Sequence, residues 1–297
     1  MTTPIRSFLF VPGDSERKLA KIAESSADAV ILDLEDAVSA TRKPLARQLV
    51  TEYIAARPAV GGRGPQLWVR MNPIGTEHAL PDLAAVVAAG PAGIMIPKID
   101  GPHDVSRVHH YLEMLEAAHG LPPGSVRVMP VATETARAPF RLGEFAEAGI
   151  DRLYGLTWGA EDLSAALGAS TNLGPDGTWA TTYQLVRSLT LIGARAADVE
   201  AVETLYVDIR DDHGLAESSR RARAEGFSGR IAIHPGQVDT INAAFTPSAD
   251  EVDFAERVVA AFAADVGTVA LDGKMLDFPH LRQARRVLAL AGRERTD

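Results

Sequence analysis

The sequence contains no cysteine, which excludes disulfides, thiolate metal sites and a cysteine nucleophile. It has no apolar stretch approaching the roughly 18 residues that a membrane helix needs. It also lacks a basic excess: 30 Lys and Arg stand against 39 Asp and Glu, a formal net charge of −9. That balance argues against a nucleic-acid partner, while leaving room for local basic patches that hold an anionic ligand. The apolar run Ser7-Phe8-Leu9-Phe10-Val11 near the start is too short for a signal peptide. These absences together describe a soluble, cytoplasmic protein with neither membrane nor nucleic acid among its partners.

What is present is ordinary globular composition, 46% hydrophobic and 23% charged over 297 residues. That length suits one large α/β barrel or two ordinary domains, with a sizeable core in either case. Short apolar runs alternate with helical patterns. The expected strands are 7–11, 29–34, 67–71, 93–97, 126–132, 152–156, 204–208 and 230–233, each β-branched or bulky and ending at Gly, Pro or a charge. Helical spacing lies between them at 15–24, 44–55, 104–119 and 140–148. Eight strand–helix repeats predict a (β/α)8 barrel over 1–246, with a doubly wound open sheet as the alternative. Residues 247–297 read as a C-terminal helical lid extension. Ser248 and Glu251 form a capping-box pattern there, and Val252, Ala255, Val259, Phe262 and Val266 follow at helical spacing.

In a (β/α)8 barrel the active site lies at the C-terminal strand ends. The acidic residues Asp33, Glu35, Asp36, Glu134, Glu161 and Asp162 fall there, with only Arg70 and Lys98 as bases among them. Carboxylates packed this way repel unless a cation or proton compensates. Hard oxygen donors without cysteine favour Mg²⁺ or Mn²⁺ over Zn²⁺.

Several stretches, in order over nearly the whole chain, resemble the citrate lyase β-subunit-like family of acyl-CoA lyases, within the HpcH/HpaI aldolase group. They are Arg6–Gly13, Ala29–Val38, Val69–Asn72, Ile96–Lys98, Glu134–Ala136, Gly159–Leu163 and Ile233–Gln237. The resemblance implies a (β/α)8 barrel in a homotrimer or hexamer. It implies Mg²⁺ held by Glu134 and Asp162, and Arg70 paired with a substrate carboxylate, a role suited to its bidentate fork. Coenzyme A contacts map by motif to Phe10, Arg17, Lys21 and the turn Ile233, His234, Pro235. Asp277 matches a lid aspartate that reaches the neighbouring subunit's site, and is the candidate catalytic acid. Glu35 and Asp36 would hold water around the cation, with Lys98 beside them.

The expected reaction is Mg²⁺-dependent cleavage of a 3-hydroxyacyl-CoA, such as malyl-CoA or citramalyl-CoA, to acetyl-CoA and an α-keto acid. A thioesterase on the same scaffold and a subunit acting on an acyl-carrier thioester are the alternatives. Blander roles stand beside each assignment. Glu134 and Asp162 also suit helix N-termini, Asp277 suits a turn or cap, and Arg17 with Lys21 suits a solvated helix face. His234 suits a hydrogen-bonded strand end, and Lys98 at a strand end raises a Schiff-base mechanism.

Overall fold

A computed structural model describes residues 4–57, 64–264 and 267–293. Eight parallel strands form the centre: β1 (Ser7–Pro12), β2 (Ala29–Asp33), β3 (Gln66–Arg70), β4 (Gly93–Ile96), β5 (Arg127–Pro130), β6 (Gly155–Thr157), β7 (Glu200–Glu203) and β8 (Gly229–Ala232). Hydrogen-bonded neighbours run β5-β4-β3-β2-β1-β8-β7-β6. The ring is completed between β5 and β6, where Tyr154 N donates to Val128 O (2.8 Å) and Ala132 N to Thr157 O (2.7 Å). The expected (β/α)8 barrel is thus the fold. Its helices are α1 (Glu16–Ala20), α2 (Lys43–Ala55), α3 (Ala79–Val86), α4 (Pro102–His119), α5 (Ala160–Leu167), α6 (Thr181–Ala196), α7 (Asp212–Glu225) and α8 (Val238–Phe245). Among the described residues no helix is long and apolar enough to cross a membrane.

The strands read as continuous apolar runs because both of their faces are buried. Side chains alternate across the sheet. Phe8, Ile31, Trp68, Met95, Met129, Val202 and Ile231 fill the barrel interior. Leu9, Val30, Leu32, Val69, Ile94 and Ala201 meet the helices outside. Towards the N-terminal end Phe8, Trp68 and Tyr154 pack edge-on, with centroids 5.4–5.8 Å apart. The Trp68 indole fits only because Gly93 lies beside it; a Cβ there would come within 2.3 Å of the ring.

Two expectations about elements are corrected. Strand seven is Glu200–Glu203, not 204–208. Glu200 and Glu203 disguise it, and both are held by arginines: Glu200 by Arg286, Glu203 by Arg187. The 140–148 pattern is not an α-helix but part of a 3₁₀ segment, Ala138–Glu147. It packs closely on α6, where a Cβ on Gly193 would lie 2.9 Å from Leu142 O.

The extension consists of α9 (Ala249–Ala261), a hairpin of β9 (Thr268–Leu271) and β10 (Lys274–Asp277), and α10 (Phe278–Leu290). The capping box of Ser248 and Glu251 is formed, whereas Val266 lies outside the described residues. Asp272 and Gly273 turn the hairpin with φ of 49° and 74°, the left-handed pair that two-residue hairpin turns require. Val252, Ala255, Val258, Leu276, Leu281, Ala284 and Leu288 make a small core separate from the barrel's. The unit is pinned to its own barrel at the N-terminal strand end. There Arg286 pairs with Glu200 at the start of β7, and Glu251 pairs with Arg223 in the last turn of α7.

Candidate active site

Parallel pairing places Asp33, the last residue of β2, directly beside Arg70, the last of β3. The Arg70 guanidinium forks onto Asp33, Nε to Oδ1 at 2.7 Å and a terminal nitrogen to Oδ2 at 2.6 Å. Its other terminal nitrogen lies 2.9 Å from Glu35 Oε2. The same guanidinium sits over the Phe10 ring, 4.6 Å from the centroid, a favourable cation–π contact. Burial disfavours the charged guanidinium of Arg70, but Asp33 and Glu35 outweigh it and hold its pKa above the ordinary value.

Lys98, just past β4, forms the second cationic post. Its Nζ donates to Glu35 Oε1 (2.6 Å) and Asp36 Oδ2 (2.8 Å), and Asp162 Oδ1 lies 3.5 Å away. Three carboxylate neighbours fix Lys98 as an ion-pair centre, which disfavours the Schiff-base reading. Lys98 takes a left-handed backbone, φ 51°, and its N–H thereby reaches Glu134 Oε2 at 2.6 Å. Strain of this kind needs surrounding contacts to sustain it. Burial pushes Glu35 above its ordinary value despite Arg70 and Lys98. Burial also opposes ionisation of Asp36, yet Lys98 holds it below.

Glu134 is different. It is buried, and burial pushes its carboxyl up to about 8, with Asp162 and Glu35 adding repulsion. Among the described residues no basic side chain pairs with it within 4 Å. Asp162 lies in the first turn of α5 beside it, after Gly159. A Cβ at Gly159 would come 2.9 Å from Glu134 Cγ, so glycine is what lets the two strand ends close together. Arg70 and Lys98 thus set two positive charges against Asp33, Glu35, Asp36, Glu134 and Asp162, so negative charge is in excess, and Glu134 is the one of these carboxylates with no basic side chain paired to it among the described residues.

Arg70, Glu134 and Asp162 line one cleft of about 70 Å³ at the C-terminal strand ends. Phe10, Arg70, Glu134, Thr157, Trp158 and Asp162 all face it. Thr157 Oγ is buried there without a hydrogen-bond partner. Trp158 is fixed by its indole N–H, which donates to Glu203 at 2.6 Å. Glu161 also lines the cleft and accepts from Asn172 Nδ2 at 2.8 Å.

The turn Ile233, His234, Pro235 is exposed at the end of β8, next to β1. His234 Nδ1 accepts from Gly236 N, and Gln237 braces both Ile233 N and His234 N, so His234 shapes the turn. Arg17 and Lys21 are exposed and unpaired among the described residues, but they do not share one helix: α1 ends at Ala20, and Lys21 opens a 3₁₀ turn. Asp277 does not meet the rim of its own chain. It caps α10, the helix whose Arg286 is tied to Glu200, and is about half exposed, with Oδ1 2.6 Å from His280 Nδ1.

The sequence reading placed Asp33 on the rim without giving it a partner. It overlooked Thr157, Glu203 and the supporting pair Lys43 and Asn72. Strand register was the available signal for Asp33; nothing in a Glu-Ala-Val-Glu run announces a buried anchor. A separate group on α4, His109, His110 and Glu113, has ligand atoms close enough for a metal. Arg152 Nε donates to His109 Nδ1 at 3.0 Å, which places the neutral ring's proton on Nε2 and removes the lone pair a metal would use.

Residues 6–235 match the family model described as HpcH/HpaI aldolase/citrate lyase. The (3S)-malyl-CoA thioesterase of Cereibacter sphaeroides is 35% identical, over 97% of this chain and 95% of that one. The mitochondrial citramalyl-CoA lyase of Rattus norvegicus is 30% identical, over 97% of this chain and 86% of that one. Among solved structures, protein CitE from Mycobacterium tuberculosis in complex with magnesium, acetoacetate and coenzyme A superimposes with a TM-score of 0.77. It is 34% identical, and the match covers 98% of both chains. The chain belongs to the HpcH/HpaI aldolase/citrate lyase family.

Proposed function

We propose that this protein is a cytoplasmic, divalent-cation-dependent lyase that cleaves a 3-hydroxyacyl-CoA to acetyl-CoA and an α-keto acid. The observation that carries the reading is one cleft that brings Glu134, which has no basic partner among the described residues, and Asp162, at 3.5 Å from Lys98, together with the Arg70 fork. A buried carboxyl pushed up to about 8 is a group that gains from a cation. The donor set is all oxygen and includes two carboxylates, which fits Mg²⁺, with Mn²⁺ as a substitute. When bound, the cation supplies Lewis-acid polarisation of the substrate's carboxylate and hydroxyl oxygens.

The protein's own residues do the rest. Arg70 commits two of its five N–H groups to Asp33 and is held near Glu35 by charge, leaving the other three as donors for a substrate carboxylate. Phe10 and Trp158 wall the cleft and exclude water. Thr157 offers a free hydroxyl to the ligand. Arg17, Lys21 and the Ile233–Pro235 turn, all exposed and carried by the segments that follow β1 and β8, which lie side by side, are assigned to the CoA phosphates and pantetheine arm. Once the hydroxyl proton has passed to solvent the carbon–carbon bond breaks, its electron pair goes to the thioester enolate as the keto acid leaves, and the enolate takes a proton. Asp277 is assigned that proton transfer, supplied by a neighbouring copy because it does not line the cleft of its own chain. The exposed Met275 and Phe278 beside it give that lid an apolar face to dock, in a homotrimer or hexamer.

Likeness to a malyl-CoA thioesterase favours a second reading, hydrolysis of the thioester. Incubation with malyl-CoA and citramalyl-CoA, in Mg²⁺ or EDTA, separates the two. Acetyl-CoA with a keto acid, in Mg²⁺ only, supports the lyase; free CoA without keto acid supports the thioesterase.

A further inference from the structure

Lys43 is buried at the start of α2, where a positive charge opposes the helix dipole. Among the described residues no carboxylate lies within ion-pair distance of it. Neither the helix nor a salt bridge therefore accounts for a lysine that is costly to bury. Its Nζ instead donates to two backbone carbonyls, Leu34 O at 2.9 Å and Glu35 O at 3.0 Å. These belong to the short loop that carries Asp33, Glu35 and Asp36. Leu34 O also accepts from Asn72 Nδ2 at 2.9 Å, and Asn72 is locked to the buried Asp82 through Nδ2 and its backbone N–H, at 2.6 and 2.8 Å. Arg47 holds the other oxygen of Asp82. The loop is thus clamped from behind, while its carboxylates face forward onto Lys98 and Arg70.

We propose that Lys43 is a positioning residue: through the Leu34 and Glu35 carbonyls it fixes the Glu35 and Asp36 carboxylates, and through them the Lys98 amine beside Glu134 and Asp162. The part concerning the cation rests on the function proposed above; the part concerning Lys98 does not. Removing Lys43 takes one donor from each carbonyl, leaving Leu34 O only Asn72 and Glu35 O only Val38 N, and so loosens the loop. Lys98 then loses its partners, and the carboxylates that surround the cation site lose their placement.

The test compares wild type with Lys43→Met, and with Lys43→Gln as a milder variant that keeps one donor. Two readouts are taken below the melting temperature of each. The first is acylation of Lys98 by an amine-reactive reagent, quantified by mass spectrometry. The second is Mn²⁺ affinity by electron paramagnetic resonance. Lys43→Met is expected to acylate Lys98 about tenfold faster and to bind Mn²⁺ about tenfold more weakly, with Lys43→Gln between. A lowered melting temperature with both readouts at wild-type values would overturn the proposal. Wild type that binds Mn²⁺ no better than Glu134→Gln would instead defeat the cation assignment, and the Lys98 reactivity would still decide the role of Lys43.

Discussion

Arg70 and Asp33 meet as a two-pronged pair, with both contacts at 2.6–2.7 Å, because β2 and β3 end in register. The pair holds the guanidinium plane against Phe10 and leaves its remaining donors to the cleft. Arg70→Lys keeps the charge but loses the fork. It should lower kcat/KM by roughly 100-fold, about 2.7 kcal/mol of transition-state stabilisation. Asp33→Asn should act in the same direction. Steady-state kinetics on the preferred acyl-CoA would check both.

Glu134→Gln and Asp162→Asn each remove a carboxylate from the proposed cation site. Both should abolish cation-dependent turnover and weaken Mn²⁺ binding by at least about 100-fold, with circular dichroism unchanged. Wild-type activity in both variants would refute the assignment.

Gly159→Ala places a methyl group 2.9 Å from Glu134 Cγ. The fold should persist, since the clash is with a side chain. Cation affinity should fall by roughly tenfold as Glu134 is displaced, measured by calorimetric titration.

If the lid serves a neighbouring copy, Asp277→Asn and Glu134→Gln protein, each inactive alone, should regain activity after subunit exchange. Inactivity in oligomers shown by native mass spectrometry to be mixed would count against a shared site.

The lid's clasp has a definite pH dependence. Burial raises the Glu200 carboxyl, but Arg286 and Arg195 outweigh it, so its folded value lies below the ordinary 4.5. A depressed carboxylate contributes stability above the unfolded value and loses it as pH falls through the folded one. Acid should therefore loosen the extension below about pH 4.5, seen as faster amide exchange in α10. Glu200→Gln should show that faster exchange already at neutral pH and lose the acid dependence.

The barrel was legible because strands buried on both faces read as apolar runs, such as Ala29-Val30-Ile31-Leu32, and because rim carboxylates follow them directly. Strand seven was not, since its glutamates are neutralised by arginines distant in sequence. Glu134, Asp162 and Arg70 could be placed on one rim from strand order alone. Which cation serves which carboxylate could not, because Lys98 reaches Glu35 and Asp36 across about 60 residues of chain. Lys43 was hidden for a similar reason: its partners are backbone carbonyls, which carry no residue-type signal.

The central claim is which bond breaks, and turnover of the preferred substrate in D₂O with Mg²⁺ tests it most directly. Carbon–carbon cleavage through an enolate predicts acetyl-CoA carrying one deuterium in its methyl group, with an equivalent of keto acid, and neither product in EDTA. Free CoA with the intact hydroxy acid, and no deuterated acetyl-CoA, would contradict it.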